Sequence, residues 1–233
     1  MLTPEEQKFS EDAVRWVKTN RKMLIAKFCN PTECTPDPNP ITLFMAGSPG
    51  AGKTEVSKQL IRRFTQKPVR IDADEIRALC PSYAGANAHV FQEAATKGVH
   101  ILYDYALKHS INVILDGTFA YKSSLENIER SLNRGRKVEI YFVYQDPIQA
   151  WEFTKKREAI EHRNVLKEVF INSSLLAREN VHAAKAKFGS KIDLNLLIKD
   201  FEKDFDQLEL NIERIDPYLR QVYSEEELVA LIS

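Results

Sequence analysis

Gly47-Ser48-Pro49-Gly50-Ala51-Gly52-Lys53-Thr54 is the stretch richest in groups that could do chemistry. Its glycines let the backbone curl so that successive N–H groups point at one oxygen-rich anion. Lys53 adds a positive charge able to reach phosphate oxygens, and the Thr54 hydroxyl can ligate a divalent cation. Ile41–Ala46, just before it, reads as a buried strand. The residues from Lys53 to Gln66 read as a helix, whose N-terminal dipole adds positive potential at the loop. A chance glycine-rich turn is the alternative, but strand before and helix after are the context the phosphate-binding reading requires. All eight residues are therefore expected to bind a nucleoside triphosphate, with Lys53 on the β and γ phosphates and Thr54 on Mg²⁺. No Asn-Lys-x-Asp stretch that would read guanine is present, which disfavours a GTPase.

Carboxylates and arginines follow at spacings that suit phosphoryl transfer. Val69–Asp72 reads as a short strand, which places Asp72 and Asp74 at its carboxyl end. A carboxylate there could orient and deprotonate an acceptor hydroxyl, or Asp74 could merely cap a helix beginning at Glu75. Asp116 ends the apolar run Ile-Asn-Val-Ile-Leu-Asp-Gly-Thr, as a carboxylate holding Mg²⁺ through water would, or as a loop cap would. Thr118 follows and would face the same cleft. Arg157 and Arg163 would point about 240° apart on an unbroken helix, so both reach one ligand only if the chain bends near His162. They stabilise a transferring phosphate in one reading and sit on a solvated charged helix in the other.

The elements needed to hold these groups alternate along the chain. Helices are expected at Ala88–Lys108, Ser123–Arg134, Pro147 to about His162, Leu166 to about Phe188 and from Ser224. Strands are expected from Ile111, from Lys137 and at Asp-Leu-Asn-Leu-Leu-Ile-Lys-Asp. Such alternation predicts an α/β fold, a parallel sheet covered by helices on both faces, with ligands at the carboxyl ends of the strands. Residues 1–40 are expected as an N-terminal helix, running to about Phe28, and a proline-rich connector; residues 41–233 form the main domain. Trp16 and Phe28 are expected as core contacts, the alternative being a helix laid across the nucleotide site.

Composition narrows the classes. Thirty-three basic and 33 acidic side chains leave zero formal charge, which counts against binding nucleic acid through bulk positive charge. Cys29, Cys34 and Cys80 lack zinc or disulfide spacing, no apolar run approaches the ~18 residues of a membrane span, and no signal-peptide pattern opens the chain. A cytoplasmic protein that does not enter membranes is expected.

Together these stretches resemble the zeta toxin family, the kinase half of bacterial toxin–antitoxin pairs. The resemblance covers about Ile41 to Lys199. It rests on the glycine-rich loop, on Ile71-Asp72-x-Asp74-x-x-Arg77 followed by a proline, and on a long helix leading into Val-Ile-Leu-Asp-Gly-Thr. A lid segment of about residues 151–170 with Arg157, and Arg163-x-Val165-x-x-Glu168, complete it. The resemblance implies a P-loop NTPase fold of three α/β/α layers like that of adenylate kinases. It also implies ATP and Mg²⁺ as cofactors, and phosphorylation of UDP-N-acetylglucosamine at the sugar 3′-hydroxyl. Asp74 would then be the base, and Arg157 and Arg163 would sit on the transferring phosphate. Lys53 and Thr54 would hold phosphates and metal, and Thr118 would lie near the acceptor. A cognate antitoxin would be a partner.

Two departures fall on the acceptor side. Phe119-Ala120 stands where family members acting on the nucleotide sugar commonly have Leu-Arg. The glutamate lining their sugar pocket has no match near His100; Glu93 is the nearest upstream. Asp72, Thr118 and Glu93 are the residues expected at the acceptor. A kinase of another small hydroxyl compound, such as a nucleoside or an antibiotic, fits the same ATP half. A polynucleotide 5′-hydroxyl kinase and a nucleotide-binding module without turnover are the remaining alternatives.

Overall fold

The computed structural model describes residues 2–161, 165–200 and 205–232. Six strands form one sheet in the order β2-β3-β1-β4-β5-β6: β1 Ile41–Ala46, β2 Val69–Asp72, β3 Val113–Asp116, β4 Lys137–Tyr144, β5 Asp193–Asp200 and β6 Phe205–Glu209. The first five strands are parallel, and Asp72 and Asp116 are register partners at the ends of β2 and β3. β6 departs from the all-parallel expectation. It runs antiparallel to β5, Leu208 opposite Leu197, as an edge strand too short and too polar to show a pattern.

The sheet separates two apolar layers. Leu43, Met45, Ile114, Tyr141 and Val143 face α3 (Lys53–Leu60) and pack on its Val56. Phe44, Ala46, Ile71, Leu115, Ile140 and Phe142 face the other way. There they meet α5 (Gln92–Lys108), α6 (Ser124–Leu132) and α8 (Lys167–Phe188), through Leu102, Ile128 and Val181 among others. The three-layer α/β/α expectation holds. Two of the expected helices are shorter. The one from Lys53 tightens into a 3₁₀ turn at Ile61–Arg63, and the one from Ala88 begins as a 3₁₀ turn through Phe91.

The N-terminal helix is two helices, not one. α1 (Pro4–Thr19) starts with a Thr3/Glu6 capping box and stops at Asn20, whose N–H and Nδ2 both donate to Trp16 O at 2.9 Å; α2 is Arg21–Phe28. Ala13, Val17 and Leu24 join the main core beside α5, Trp16 and Phe28 pack against it, and Glu6 meets His89 at 3.0 Å. The helix therefore covers α5, and the alternative placement across the nucleotide site is not what forms.

A third apolar cluster closes the chain. Ala150 and Trp151 of α7 (Pro147–Glu161), Phe170 and Ile171 of α8, and Tyr223, Leu228 and Ile232 around α9 (Glu225–Leu231) pack together. Tyr223 donates to Asp146 Oδ2 at 3.0 Å, and Lys167 Nζ donates to the Val229 carbonyl at 2.9 Å. The helix expected from Ser224 is α9, which a Ser224/Glu227 capping box starts.

Candidate functional site

The glycine-rich loop joins β1 to α3 and is shaped by its neighbours. A side chain at Gly47, whose φ is +128°, would begin 2.3 Å from the Val143 carbonyl oxygen. One at Gly50, at φ +74°, would begin 2.1 Å from the Ala150 carbonyl oxygen. Both positions admit glycine and nothing larger. The loop thus rests on the end of β4 and on the first turns of α7. Gly52, at φ +85°, precedes α3, whose first residue is Lys53.

Lys53 Nζ donates to the Ser48 carbonyl at 2.6 Å, so the ammonium lies folded over the loop. Burial draws its pKa down to about 8; the charges of Asp116, Asp74 and Asp72 oppose this, and that of Arg157 adds to it. The same interactions show which groups share the cleft with Lys53. Arg157 is exposed on α7, whereas Arg163 lies outside the described residues.

The three strand-end carboxylates have distinct surroundings. Asp72 is the N-cap of α4 (Ala73–Arg77): its Oδ1 accepts from Asp74 N at 2.8 Å and its Oδ2 from Arg70 at 2.8 Å. Burial raises its pKa, and the neighbouring charges of Asp74 and Asp116 add to the shift. The capping role thus belongs to Asp72 and not to Asp74. Asp74 occupies the first turn with its side chain 41% exposed, and its Oδ1 accepts from Arg77 Nη1 at 2.5 Å. Arg77 is itself buried and reaches Gln92 Oε1 on α5 at 2.7 Å, so α5 positions the guanidinium that positions Asp74. Asp116 is buried, and its Oδ2 accepts from Ser57 Oγ at 2.6 Å and from Arg70.

The remaining expected residues lie around this group. The Thr118 carbonyl accepts from Gly47 N at 3.1 Å and its Oγ1 from Ala120 N at 3.3 Å, which pins the turn after β3 to the phosphate loop. Phe119 adopts φ +63° and turns into the core, edge-on to Phe44 at 5.6 Å, and the uncharged Ala120 follows it. Glu93 is exposed on the first turn of α5, beside Gln92.

Four residues take places that the sequence reading did not give them. Arg70 and Ser57 bond Asp116, Arg77 holds Asp74, and the Lys199 Cε lies 3.4 Å from where a Gly52 side chain would begin. The pairing of Arg70 with Asp72 was legible: they stand two residues apart on the same face of a strand. Lys199 reaches the loop because β5 ends beside it. Among the described residues no group of three or more His, Cys, Asp or Glu side chains is arranged to hold a metal ion. No described helix is long and apolar enough to cross a membrane.

Solved structures share this fold. A chain from the PezAT chromosomal toxin–antitoxin system of Streptococcus pneumoniae superimposes with a TM-score of 0.60 at 16% identity, over 100% of this chain and 89% of that one. The AvrRxo1-ORF1:AvrRxo1-ORF2 complex, in structures with sulphate ions and with ATP, matches at a TM-score of 0.58 and 15% identity. It covers 92–93% of this chain and 72% of that one. At such identities the likeness is one of fold. No curated protein matches the chain by sequence. The sequence profile of the Zeta toxin family does match, over residues 26–205, from within α2 through the sheet to the start of β6, and the chain belongs to that family.

Proposed function

We propose that this chain is an ATP- and Mg²⁺-dependent phosphotransferase that phosphorylates a hydroxyl of a small molecule, with UDP-N-acetylglucosamine as the first acceptor to test. The observation that carries the reading is the contrast among the strand-end carboxylates. Asp72 and Asp116 are engaged by Arg70, whereas Asp74 is held by Arg77 with its carboxylate reaching the cleft, within the field of Lys53. Asp74 would accept the proton of the acceptor hydroxyl as that oxygen bonds to the γ-phosphorus and ADP leaves. The loop N–H groups and Lys53 would hold the phosphates, and Arg157 and Arg163 would balance charge on the transferring group. Thr54 and Asp116, whose Oδ1 accepts no hydrogen bond among the described residues, fit Mg²⁺, which would supply charge neutralisation at the phosphates. Thr118 and Glu93 border the acceptor side, with Asp72 shaping it through α4.

Ala120 supports a second acceptor. Without the arginine of the Leu-Arg pattern, the pocket lacks a grip on a sugar nucleotide's diphosphate, and a less charged hydroxyl compound fits the same ATP half. Incubating the protein with Mg-ATP and each candidate, with mass spectrometry of the products, decides between them. A gain of roughly 80 Da, one phosphoryl group, on UDP-N-acetylglucosamine supports the first. Its absence there and its presence on a nucleoside or antibiotic supports the second; ATP bound with no product from any acceptor sinks both. The toxin–antitoxin origin of the PezAT neighbour supports a cognate antitoxin protein as partner.

The Lys53 pKa gives a pH prediction. Phosphate oxygens favour the protonated amine, so above about pH 8 nucleotide binding must take up a proton. ATP affinity is expected to be level below about pH 7.5 and to fall by up to about tenfold per unit above pH 8. Calorimetric titration with ATP between pH 7 and 9.5 checks this; a flat profile would show that the amine is already protonated throughout.

A further inference from the structure

At the amino ends of β1 and β4, away from the phosphate loop, a cleft of ≈ 690 Å³ opens between the last turn of α5 and the turn that follows α6. Arg136 lines it and is only 3% exposed. Its Nε donates to Thr42 Oγ1 at 2.7 Å, and its Nη2 to the carbonyls of Ile41 at 3.0 Å and Ile111 at 2.5 Å. Nη1 is buried and finds no partner among the described residues. Burial draws the pKa down to about 10, with Arg134 adding to the shift and Tyr103 and Asp37 opposing it, so the charge is kept at neutral pH. Every bond that this guanidinium makes goes to a neutral oxygen, which an uncharged donor would serve as well. What the charge adds is attraction for an anion.

The rest of the lining agrees in sign. Lys108 and Arg134 are exposed on the same cleft, and Arg134 Nη1 donates to the Arg130 carbonyl at 3.1 Å rather than to a carboxylate. The lining carboxylate, Asp104, is already paired with Arg130. Ser110 adds a hydroxyl. Cations near helix C-termini also balance the helix dipole, which accounts for Lys108 and Arg134 but not for a charge buried at Arg136. With Lys108, Arg134 and Arg136 all unmatched, a dianion is held better than a monoanion, and a guanidinium fork matches phosphate oxygens. We infer that this cleft binds a phosphate dianion, either free phosphate or the phosphate group of a small phosphorylated compound. The volume lies in the range of small-molecule sites. The cleft sits at the opposite ends of the strands from the phosphate loop and uses no residue of the proposed reaction.

The test follows backbone amide signals of the full chain by ¹⁵N–¹H magnetic resonance during titration with sodium phosphate, ionic strength being held with sodium chloride. Ser110, Gly135 and Arg136 are expected to shift saturably, with an apparent Kd of about 1 mM or tighter. Lys108→Gln with Arg134→Gln, both exposed, should weaken that response at least about tenfold, since two unit charges have gone. Arg136 itself is left in place because its bonds hold the start of β1. A second titration uses glycerol 3-phosphate. Tighter binding than inorganic phosphate would identify a phosphate ester as the occupant, and equal or weaker binding would identify free phosphate; both support the site. Shifts that stay linear, or that are confined to Gly47–Thr54, would overturn the inference, and they do so in the unmodified chain alone. So would affinity within about twofold in the folded double variant. Because the signals of the cleft and of the phosphate loop are read separately, a failure of the proposed reaction leaves this result untouched.

Discussion

Asp74→Ala is expected to lower phosphoryl transfer by about a hundred- to ten-thousandfold while leaving ATP affinity within a few-fold of the unmodified chain. Removing a general base costs that much when the rest of the site stays in place. The rest does stay: α4 is capped by Asp72, and Arg77 keeps its bond to Gln92. Arg77 loses a charged partner, so a modest loss of stability accompanies the change. Product formation by mass spectrometry, beside ATP titration on the same sample, separates the two effects. Turnover retained within about tenfold would remove Asp74 as the base. ATP binding lost together with turnover would mean that its role is structural.

The second large effect belongs to Gly50. A methyl group there would start 2.1 Å from the Ala150 carbonyl oxygen and 2.6 Å from Thr154 Oγ1, in a left-handed conformation that a side chain resists. Loop and α7 must part to admit it. Gly50→Ala should therefore cost about 3 kcal/mol or more, from strain and overpacking combined. For a chain of this size that is a drop of roughly 6–12 °C in Tm. ATP affinity should fall with it, since the loop N–H groups lose their alignment. Thermal unfolding with and without ATP measures both; an unchanged Tm would mean that the loop does not rest on α7.

Much of the site was legible because its residues are fixed by local rules. A glycine-rich turn between strand and helix, and an aspartate ending an apolar run, are patterns of adjacent residues, and the folded chain places each where its pattern requires. The capping question at Asp74 was not legible. Two aspartates stood near one helix start, and only the true first residue, Ala73, shows that Asp72 is the cap. The bonds of Arg70 to Asp116, of Arg77 to Gln92 and the approach of Lys199 to Gly52 join segments far apart in sequence, so nothing local announces them. β6 escaped notice because it is short, charged and at an edge. Asn20 ended α1 early because its side chain and backbone can both bond the preceding turn.

The cluster that joins α7 and α8 to Tyr223, Leu228 and Ile232 sets an order in time. Synthesis proceeds from the N-terminus, and the phosphate loop, Asp74 and Arg157 all emerge before residue 223. Until residues 223–232 leave the ribosome, Trp151 and Phe170 have each other, edge-on at 5.1 Å, but not Tyr223, Leu228 and Ile232, and Asp146 lacks the Tyr223 hydroxyl. A nascent chain thus carries the residues proposed to bind phosphate and to act as base before α7 and α8 are secured. Securing these helices waits for α9, which is made after every residue of the candidate site.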